Sequence, residues 1–459
     1  MSTKSDAPDP SIRLLTPERR PVVLGVFGLM GFIAFESFAV TTALPVVARD
    51  LGAERWYATA FAATLTAGLV GMTVGGSWAD RRGPLRPLLF GGTTFLLGVA
   101  LCVAAPGMEV FVLGRLLQGI GGGIDSVVLY VIIARFVHED VRHRMFALLT
   151  AAWLLPSLAG PLISGALVEL VHWRTVFAFV LAGSALSLAC LVNVVRRSPF
   201  SGTGGAVLGR RELWAAVAAV ALLGLHLTGP VGGAVAAAAM AGSAALLLVA
   251  AVALLPSGTL RARAGIPRLV ALRTLLGASV TVTDVHLPPY LQHVLGYTPT
   301  MSGLVVAVGA LGWASGAWFQ GRSTADPHDP GLLWRAGALV ACGPLGAALV
   351  VGGVLPVPAA VVGCVLMGFG MGAAYPRISA SVLALSPVER QGDHGSSLQI
   401  SEAMGSSVLL AATGAILASS LVGGYPIVYS AATVVALGAL AVALAARRDV
   451  GAHRVADGG

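Results

Sequence analysis

The sequence predicts an all-α membrane protein with fourteen transmembrane helices, and three observations support this. Hydrophobic residues make up 56% of the 459 residues, and the mean hydropathy of +0.85 is too high for one water-soluble core. Apolar runs of about 20 residues recur along the chain, and a helix needs about that length to cross a bilayer. The 59 glycines suit helices that pack closely in lipid, where small residues let two backbones approach.

Charged residues and Pro/Gly-rich breaks divide the apolar sequence into two sets of six spans. We number these twelve spans core helices 1 to 12. The first set is predicted at residues 22–47, 57–79, 87–105, 110–135, 145–169 and 174–195. The second set is predicted at residues 269–293, 301–320, 332–354, 357–385, 396–420 and 425–446.

A longer apolar stretch, residues 213–255, lies between the two sets. A single crossing there would place Arg261, Arg263 and Arg268 outside and would reverse the bias of every later loop. Two crossings keep these arginines on the cytoplasmic side, which gives fourteen spans in all. Because the first part, residues 213–229, is short, a re-entrant hairpin is the alternative.

This pattern predicts two six-helix bundles with an inserted helix pair between them. The predicted parts are a cytoplasmic tail (1–21), the N-terminal bundle (22–196), a linker (197–212), the inserted pair (213–256), a second linker (257–268), the C-terminal bundle (269–446) and a cytoplasmic tail (447–459).

Composition also argues against several classes of protein. The net charge of +8 comes from arginines scattered singly or in pairs between spans, which indicates control of topology rather than nucleic-acid binding. The four cysteines lie within apolar runs without a ligand spacing, so we expect buried thiols and no metal site. The first apolar run is too long for a signal peptide and predicts a retained span. No nucleophile–base or phosphate-binding pattern appears, so we expect no enzyme.

Residues 75–86 place a charged cluster between core helices 2 and 3, reading Gly-Gly-Ser-Trp-Ala-Asp-Arg-Arg-Gly-Pro-Leu-Arg. This loop resembles the signature Gly-x-Leu-Ala-Asp-Arg-x-Gly of major facilitator superfamily transporters, with basic residues after it. The matching positions are Gly76, Ala79, Asp80, Arg81 and Gly83. The departures are Trp78, Pro84 and Leu85. The resemblance implies the major facilitator fold, and a weak echo of the motif at residues 316–322 is consistent with two repeated halves.

The first span contains Glu36 and then Ala43-Leu44-Pro45. It resembles the first helix of fourteen-span drug:proton antiporters, with Glu36 in place of an Asp. Glu36 lies near the bilayer midplane, where desolvation disfavours a charged carboxylate, so we expect it to carry a proton. The alternative is a protonated, hydrogen-bonded packing residue. Because Phe38 departs from the usual Thr, substrate preference does not follow from the resemblance.

Two further motifs lie in core helices 4 and 5. Arg115 begins Arg-Leu-Leu-Gln-Gly-Ile-Gly, which resembles the family's Arg-x-x-Gln-Gly-x-Gly motif. An intramembrane arginine needs a carboxylate, a carbonyl or water as its partner, either for proton coupling or as a fixed ion pair. Asp125, on the same helix, is a second candidate proton site. Gly160-Pro161 resembles the antiport motif Gly-Pro-x-x-Gly-Gly and predicts a kink and close contact with the opposite half.

Charged residues in the C-terminal half complete the candidate set. Asp284 lies in core helix 7, Arg377 in core helix 10 and Glu402 in core helix 11, and we predict an Arg377–Glu402 ion pair. His226, in the inserted pair, is predicted to be an interfacial or packing residue. The resemblance implies that core helices 1, 4, 7 and 10 line a central cavity. Five intramembrane charges fall on those helices, namely Glu36, Arg115, Asp125, Asp284 and Arg377.

These features predict a proton-driven exporter of hydrophobic or amphiphilic small molecules, such as drugs or antibiotics, which works by alternating access without a cofactor. The predicted proton-coupling residues are Glu36, Asp125, Asp284 and Arg115. The predicted cavity residues are Glu36, Phe35, Phe38, Tyr130, Trp153 and Arg377. The predicted gate residues are Gly76, Asp80, Arg81, Gly83, Gly160 and Pro161. We expect Asp80 to dock on the N-terminus of core helix 11.

Two alternative functions are compatible with the sequence. One is a lipid or glycolipid transporter of the same fold, and the other is a non-transporting membrane sensor or scaffold. We expect a monomer in the plasma (inner) membrane of a bacterium, with both termini cytoplasmic.

Overall fold

A computed structural model describes residues 20–137, 139–197, 209–228, 233–322, 331–387, 390–419 and 423–456. Fourteen helices within these residues are long and apolar enough to cross a membrane, as predicted. They are α1 (Arg20–Asp50), α2 (Tyr57–Arg82), α3 (Leu85–Ala104), α4 (Met108–Phe136), α5 (Glu139–Leu170), α6 (Trp173–Val195), α7 (Arg210–Thr228), α8 (Gly233–Leu254), α9 (Ile266–Pro289), α10 (Pro299–Arg322), α11 (Gly331–Val351), α12 (Pro358–Leu385), α13 (Gln391–Ser419) and α14 (Gly424–Ala456). Most of the predicted N-terminal tail and of the 197–212 linker lies outside the described residues.

The predicted spans agree with the helices, with differences at their ends. The 213–255 stretch forms two helices of 19 and 22 residues, α7 and α8. At a rise of 1.5 Å per residue each is about 30 Å long, which favours two crossings over a re-entrant hairpin. The span predicted at 269–293 is α9 followed by a π-helical turn, Tyr290–Val294. Pro288 and Pro289 precede that turn and have no N–H group to donate to the ladder.

Glycines four residues apart let helices cross closely in each half. In the N-terminal half, a Cβ atom on Gly71 would lie 2.3 Å from the Ile120 carbonyl oxygen. In the C-terminal half, a Cβ atom on Gly312 would lie 2.1 Å from the Val365 carbonyl oxygen. The pairs at these crossings are Gly71 and Gly75 on α2, Gly119 and Gly123 on α4, Gly312 and Gly316 on α10, and Gly368 and Gly372 on α12. Glycine pairs with the same spacing occur at equivalent helix crossings in both halves, which supports two repeated halves.

The halves meet along two seams. In one, α5 packs on α10, and in the other α2 packs on α13. The inserted helix α7 contacts both α2 and α13, so the inserted pair attaches at that second seam. Helix α8 packs mainly on α7, and only 17% of its most apolar stretch is buried. We call the two ends of the bundle the Tyr57 end and the Asp80 end, after the residues at the two ends of α2.

Candidate functional site

Glu36 and Arg115 meet in the middle of the N-terminal half. Glu36 lies halfway along α1, Arg115 lies on α4, and each side chain is only 2% exposed. Glu36 Oε1 contacts Arg115 Nη1, which also donates to Gln118 Oε1 at 2.7 Å. Arg115 Nε donates to the Ala60 carbonyl oxygen at 3.2 Å. Glu36 is therefore not the lone carboxylate that the sequence suggested, since Arg115 compensates its charge.

This pair has a specific chemical consequence. An arginine stays charged at any pH a cell meets, so only Glu36 can change its protonation state. Binding a proton to Glu36 would remove the carboxylate and leave Arg115 with two neutral acceptors in a buried site. Breaking a buried pair from one side is costly, because the remaining charge is left without compensation. The state of Glu36 is thus linked to the arrangement of α1 and α4.

Asp125 does not join this pair, although it lies on the same helix as Arg115. It is fully buried and faces α3, where a Cβ atom on Gly91 would come within 2.5 Å of its Oδ1. Neither carboxyl oxygen has a hydrogen-bond partner among the described residues. Asp125 is therefore inside the N-terminal bundle and does not contact Glu36, and its role as a second proton site stays a prediction.

A second charged cluster joins three helices of the C-terminal half. Arg273 Nε on α9 lies 2.8 Å from Glu402 Oε2 on α13, and Tyr375 on α12 donates its hydroxyl to Glu402 Oε1 at 2.7 Å. Arg273 also donates to Ser379 Oγ at 3.0 Å. The predicted Arg377–Glu402 ion pair is wrong, because Arg273 is the partner of Glu402. The missed signal was an arginine inside the predicted span 269–293.

Arg377 and Asp284 occupy other places in the C-terminal half. Arg377 is 2% exposed on α12 and does not pair with Glu402. Asp284 lies within electrostatic range of Cys364 of α12 and Tyr429 of α14, and it forms no ion pair with another described residue. Of the five predicted cavity charges, the structure brings only Glu36 and Arg115 together.

The predicted aromatic cavity residues divide into three environments. Phe35 is 5% exposed and meets Phe179 of α6 edge-to-face at 5.3 Å, inside the N-terminal bundle. Phe38 meets Trp153 of α5 edge-to-face at 6.1 Å, and both are partly buried. Tyr130 on α4 is 48% exposed. Phe38 and Trp153 contact each other between α1 and α5, whereas Phe35 packs inside the N-terminal bundle, and the cavity role of these residues stays a prediction.

Hydrogen bonds close the halves together at the Tyr57 end. The Tyr57 hydroxyl donates to the Val285 carbonyl oxygen at 2.5 Å, joining α2 to α9. Gln292 donates to the Thr42 carbonyl oxygen at 3.2 Å. The Thr300 amide donates to the Glu169 carboxylate at 2.6 Å, joining α10 to α5. These bonds all run from one half to the other, so this end is shut.

Pro161, one of the two predicted gate residues of α5, takes part in this closure. A Cβ atom on Gly303 of α10 would lie 2.5 Å from the Pro161 carbonyl oxygen, and one on Gly165 would lie 2.6 Å from Thr300 Cα. Gly160 faces α1, with Phe38 Cβ 3.4 Å from a Cβ built on it. The close contact predicted between α5 and the opposite half is confirmed.

The signature loop ends α2 at the other end of the bundle. Gly76 faces Val127 of α4, and Gly83 ends the helix at a φ of +83°, which favours glycine. Arg81 is partly buried, whereas Asp80 is exposed and makes no hydrogen bond or ion pair with another described residue. Asp80 does not dock on any described residue at the start of α13 in this conformation.

Arg211 of the inserted helix α7 occupies that terminus instead. Its guanidinium pairs with the Asp393 carboxylate and donates to Ser396 Oγ at 2.5 Å. At the opposite end of α7, Thr59 of α2 donates to the His226 carbonyl oxygen at 3.0 Å. His226 is 3% exposed, in keeping with its predicted packing role. Helix α7 is thus bonded to both halves.

Among the described residues, no three His, Cys, Asp or Glu side chains cluster in a way that would hold a metal ion.

Comparison with known sequences agrees with this architecture. The sequence model of the Major Facilitator Superfamily matches residues 26–408, and the chain belongs to that superfamily. A probable multidrug-efflux transporter of Mycobacterium tuberculosis is 28% identical over 384 residues, which is 78% of each chain. Multidrug resistance protein 3 of Bacillus subtilis is 32% identical over 179 residues, 39% of this chain and 35% of that protein.

Solved structures share the fold at low sequence identity. A POT family transporter in complex with 5-aminolevulinic acid superposes with a TM-score of 0.68 at 16% identity, covering 93% of this chain and 96% of that one. The human organic anion transporter MFSD10 superposes with a TM-score of 0.61 at 15% identity, covering 94% of this chain and all of that one. At this identity the likeness concerns the fold alone.

Proposed function

We propose that this protein is a secondary transporter, not an enzyme, that exports hydrophobic or amphiphilic small molecules in exchange for protons. The observation that carries the proposal is the Glu36–Arg115 pair, buried at mid-span on two helices of the N-terminal half. Intramembrane charges are costly and normally serve transport or proton transfer. The similarity to multidrug-efflux transporters supports small apolar molecules as the substrate class.

The proton step follows from the chemistry of this pair. When the Tyr57 end opens, Glu36 accepts a proton from water and its contact with Arg115 weakens. When the Asp80 end opens, Arg115 favours the carboxylate again and the proton leaves to the other side. The exchange of protons for substrate needs no covalent chemistry. Asp125 and Asp284 stay as further candidates for proton binding.

Alternating access would use the two ends of the bundle in turn. The shut Tyr57 end corresponds to the state in which the substrate path opens at the Asp80 end. The arginines of the 75–86 loop and of the 257–268 linker lie at the Asp80 end, and the positive-inside rule places that end in the cytoplasm. We expect a monomer in a bacterial plasma membrane, and export of this kind would give antibiotic resistance.

Transport in membrane vesicles tests the proposal. With an imposed proton gradient, the wild type should move a fluorescent lipophilic dye and should stop when the gradient is collapsed. Glu36→Gln keeps the side-chain shape but cannot exchange a proton, so it should lose gradient-driven transport. Glu109→Gln, an exposed carboxyl at the start of α4, is the matched control and should behave as wild type. Glu36→Gln with unchanged gradient coupling would remove Glu36 from the proton step.

A ligand screen separates drugs from lipids as the substrate class. A ligand that binds the folded state raises the apparent melting temperature of the purified protein. We expect stabilisation by amphiphilic drugs. Stabilisation by a lipid or glycolipid alone would assign the fold to lipid transport instead.

A further inference from the structure

A small crevice lies where the two halves meet at the Tyr57 end. Its volume of about 30 Å³ is enough for about one water molecule. Both halves contribute to its lining, which includes Glu54, Tyr57, His286, His293 and Tyr425. His286, on α9, is fully buried there. The crevice therefore holds a buried titratable side chain at the interface between the two halves. This interface must separate when the Tyr57 end opens.

The hydrogen bonds around His286 favour one tautomer of its ring. His286 Nε2 lies 2.9 Å from Thr413 Oγ1 of α13. The single hydroxyl proton of Thr413 is directed to the Leu409 carbonyl oxygen at 2.8 Å, as is usual for threonine within a helix. This arrangement favours Thr413 as the acceptor and His286 Nε2 as the donor that carries the hydrogen. Nδ1 is then a bare lone pair, and it has no hydrogen-bond partner among the described residues.

No described carboxylate pairs with this ring in the shut state, although Glu54 lines the same crevice. Asp284 lies on the same helix, within electrostatic range of Cys364 and Tyr429, and His286 forms no ion pair with a described residue. The other titratable groups that line the crevice are Glu54 and Arg55 before α2, Tyr57 of α2, His293 of the π-turn and Tyr425 of α14, whereas α13 contributes Gly414, Leu417 and Ala418. A proton on Nδ1 in the shut state would be a buried charge without a partner.

We propose that His286 is a proton-binding residue whose protonation holds the Tyr57 end open. The inference rests on the alternating access described above. With this end open, water reaches Nδ1 and solvates the imidazolium. Protonation costs the ring no hydrogen bond, because Nε2 remains a donor. To shut the end, the ring must return the proton from Nδ1 to water. Lower external pH therefore favours the open Tyr57 end, the state that releases an exported molecule.

Distance measurements between spin labels test this without transport. Val171 and Val354 are 65% and 68% exposed, on loops of different halves at this end. Labels at Val171→Cys and Val354→Cys, with the four native cysteines replaced, should show a growing open population as the pH falls from about 8 to about 5, the range in which histidine titrates. His286→Gln keeps the donor to Thr413 but cannot gain a proton. It should lose most of that pH response, and exposed His172→Gln should keep it.

A second variant covers the case in which His286→Gln does not fold. Thr413→Val removes the acceptor that stabilises neutral His286 in the shut state, so the pH of half-opening should move upward by up to about one unit. An unchanged midpoint would contradict the proposal, and so would a full pH response in His286→Gln. A response lost only in His226→Gln would place the proton site on α7. Because no transport is measured, these outcomes stand apart from the Glu36 test of the proposed function.

Discussion

Arg273 and Glu402 form an ion pair of 2.8 Å that connects α9 to α13, and Tyr375 of α12 stacks on the same guanidinium at 4.3 Å. The pair is partly exposed, with side-chain exposures of 14% and 23%. It therefore ties together three helices of the C-terminal half at a point that is only partly buried. The N-terminal half has its own pair in Glu36 and Arg115, which joins α1 to α4 and is buried more deeply.

Removing one member of the C-terminal pair should destabilise the protein. We expect Arg273→Met or Glu402→Gln to cost about 1–2 kcal/mol, reduced from the cost of a fully buried pair because water screens these charges. The double variant should lose less than the sum of the single losses, since the two side chains contact each other. Thermal unfolding in detergent measures this. Arg377→Met combined with Glu402→Gln is the control and should be additive.

Replacing Arg115 by lysine should impair transport despite the retained charge. One ammonium group cannot contact Glu36, Gln118 and the Ala60 carbonyl in the way that the planar guanidinium does. Loss of one charge-assisted hydrogen bond corresponds to a fall of roughly tenfold or more in gradient-driven dye transport. Gln118→Ala removes only a neutral acceptor and should be milder. Equal rates for Arg115→Lys and wild type would contradict the geometry.

The close helix crossings at the paired glycines should not tolerate a methyl group added to one of these glycines. Gly71→Ala and Gly312→Ala would each bring a Cβ atom within 2.3 Å of a backbone carbonyl oxygen, so the helices must move apart. We expect each to lower the melting temperature and to reduce expression of folded protein. Gly242→Ala on α8 has nothing within 4 Å of its Cβ. It should be neutral or slightly stabilising, because alanine is the better helix former by about 1 kcal/mol.

Gly303→Ala should shift the conformational balance rather than global packing. Its Cβ atom would lie 2.5 Å from the Pro161 carbonyl oxygen across the halves, a clash that exists only while the Tyr57 end is shut. The open population at that end, measured with the spin labels described above, should therefore rise. Gly309→Ala on the same helix faces Cys364 within its own half, with 3.4 Å available. It should leave the balance unchanged.

Asp80→Asn should act on the state in which the Asp80 end is shut and the Tyr57 end is open. Asp80 is exposed and makes no polar contact with the described residues here, so the variant should not change the stability of the conformation with the Tyr57 end shut. If Asp80 docks on the α13 terminus when the Asp80 end closes, the variant should reduce the open population at the Tyr57 end. Arg82→Gln, also exposed, is the neighbouring control. An unchanged balance in Asp80→Asn would rule out the latch.

Much of the membrane architecture could be predicted because it depends on local sequence. Each span needs only its own apolar length and a break at each end, and residues 213–255 were long enough for the two helices they form. Motif identity also located Arg115 and Glu36 on helices that meet. The predicted Arg377–Glu402 pair was wrong because pairing depends on the direction in which each side chain points. The two residues lie in neighbouring spans, but the sequence does not report that direction.

The sequence alone determined the number and approximate positions of the spans, the repeat of six and the presence of costly intramembrane charges, because apolar length and charge act locally along the chain. Tertiary structure decided which charges meet. It turned Asp125 toward Gly91 of α3, gave Glu402 to Arg273 and bonded Arg211 to the helix end expected to receive Asp80. These outcomes depend on helix rotation and on contacts between residues far apart in sequence, which no local pattern specifies.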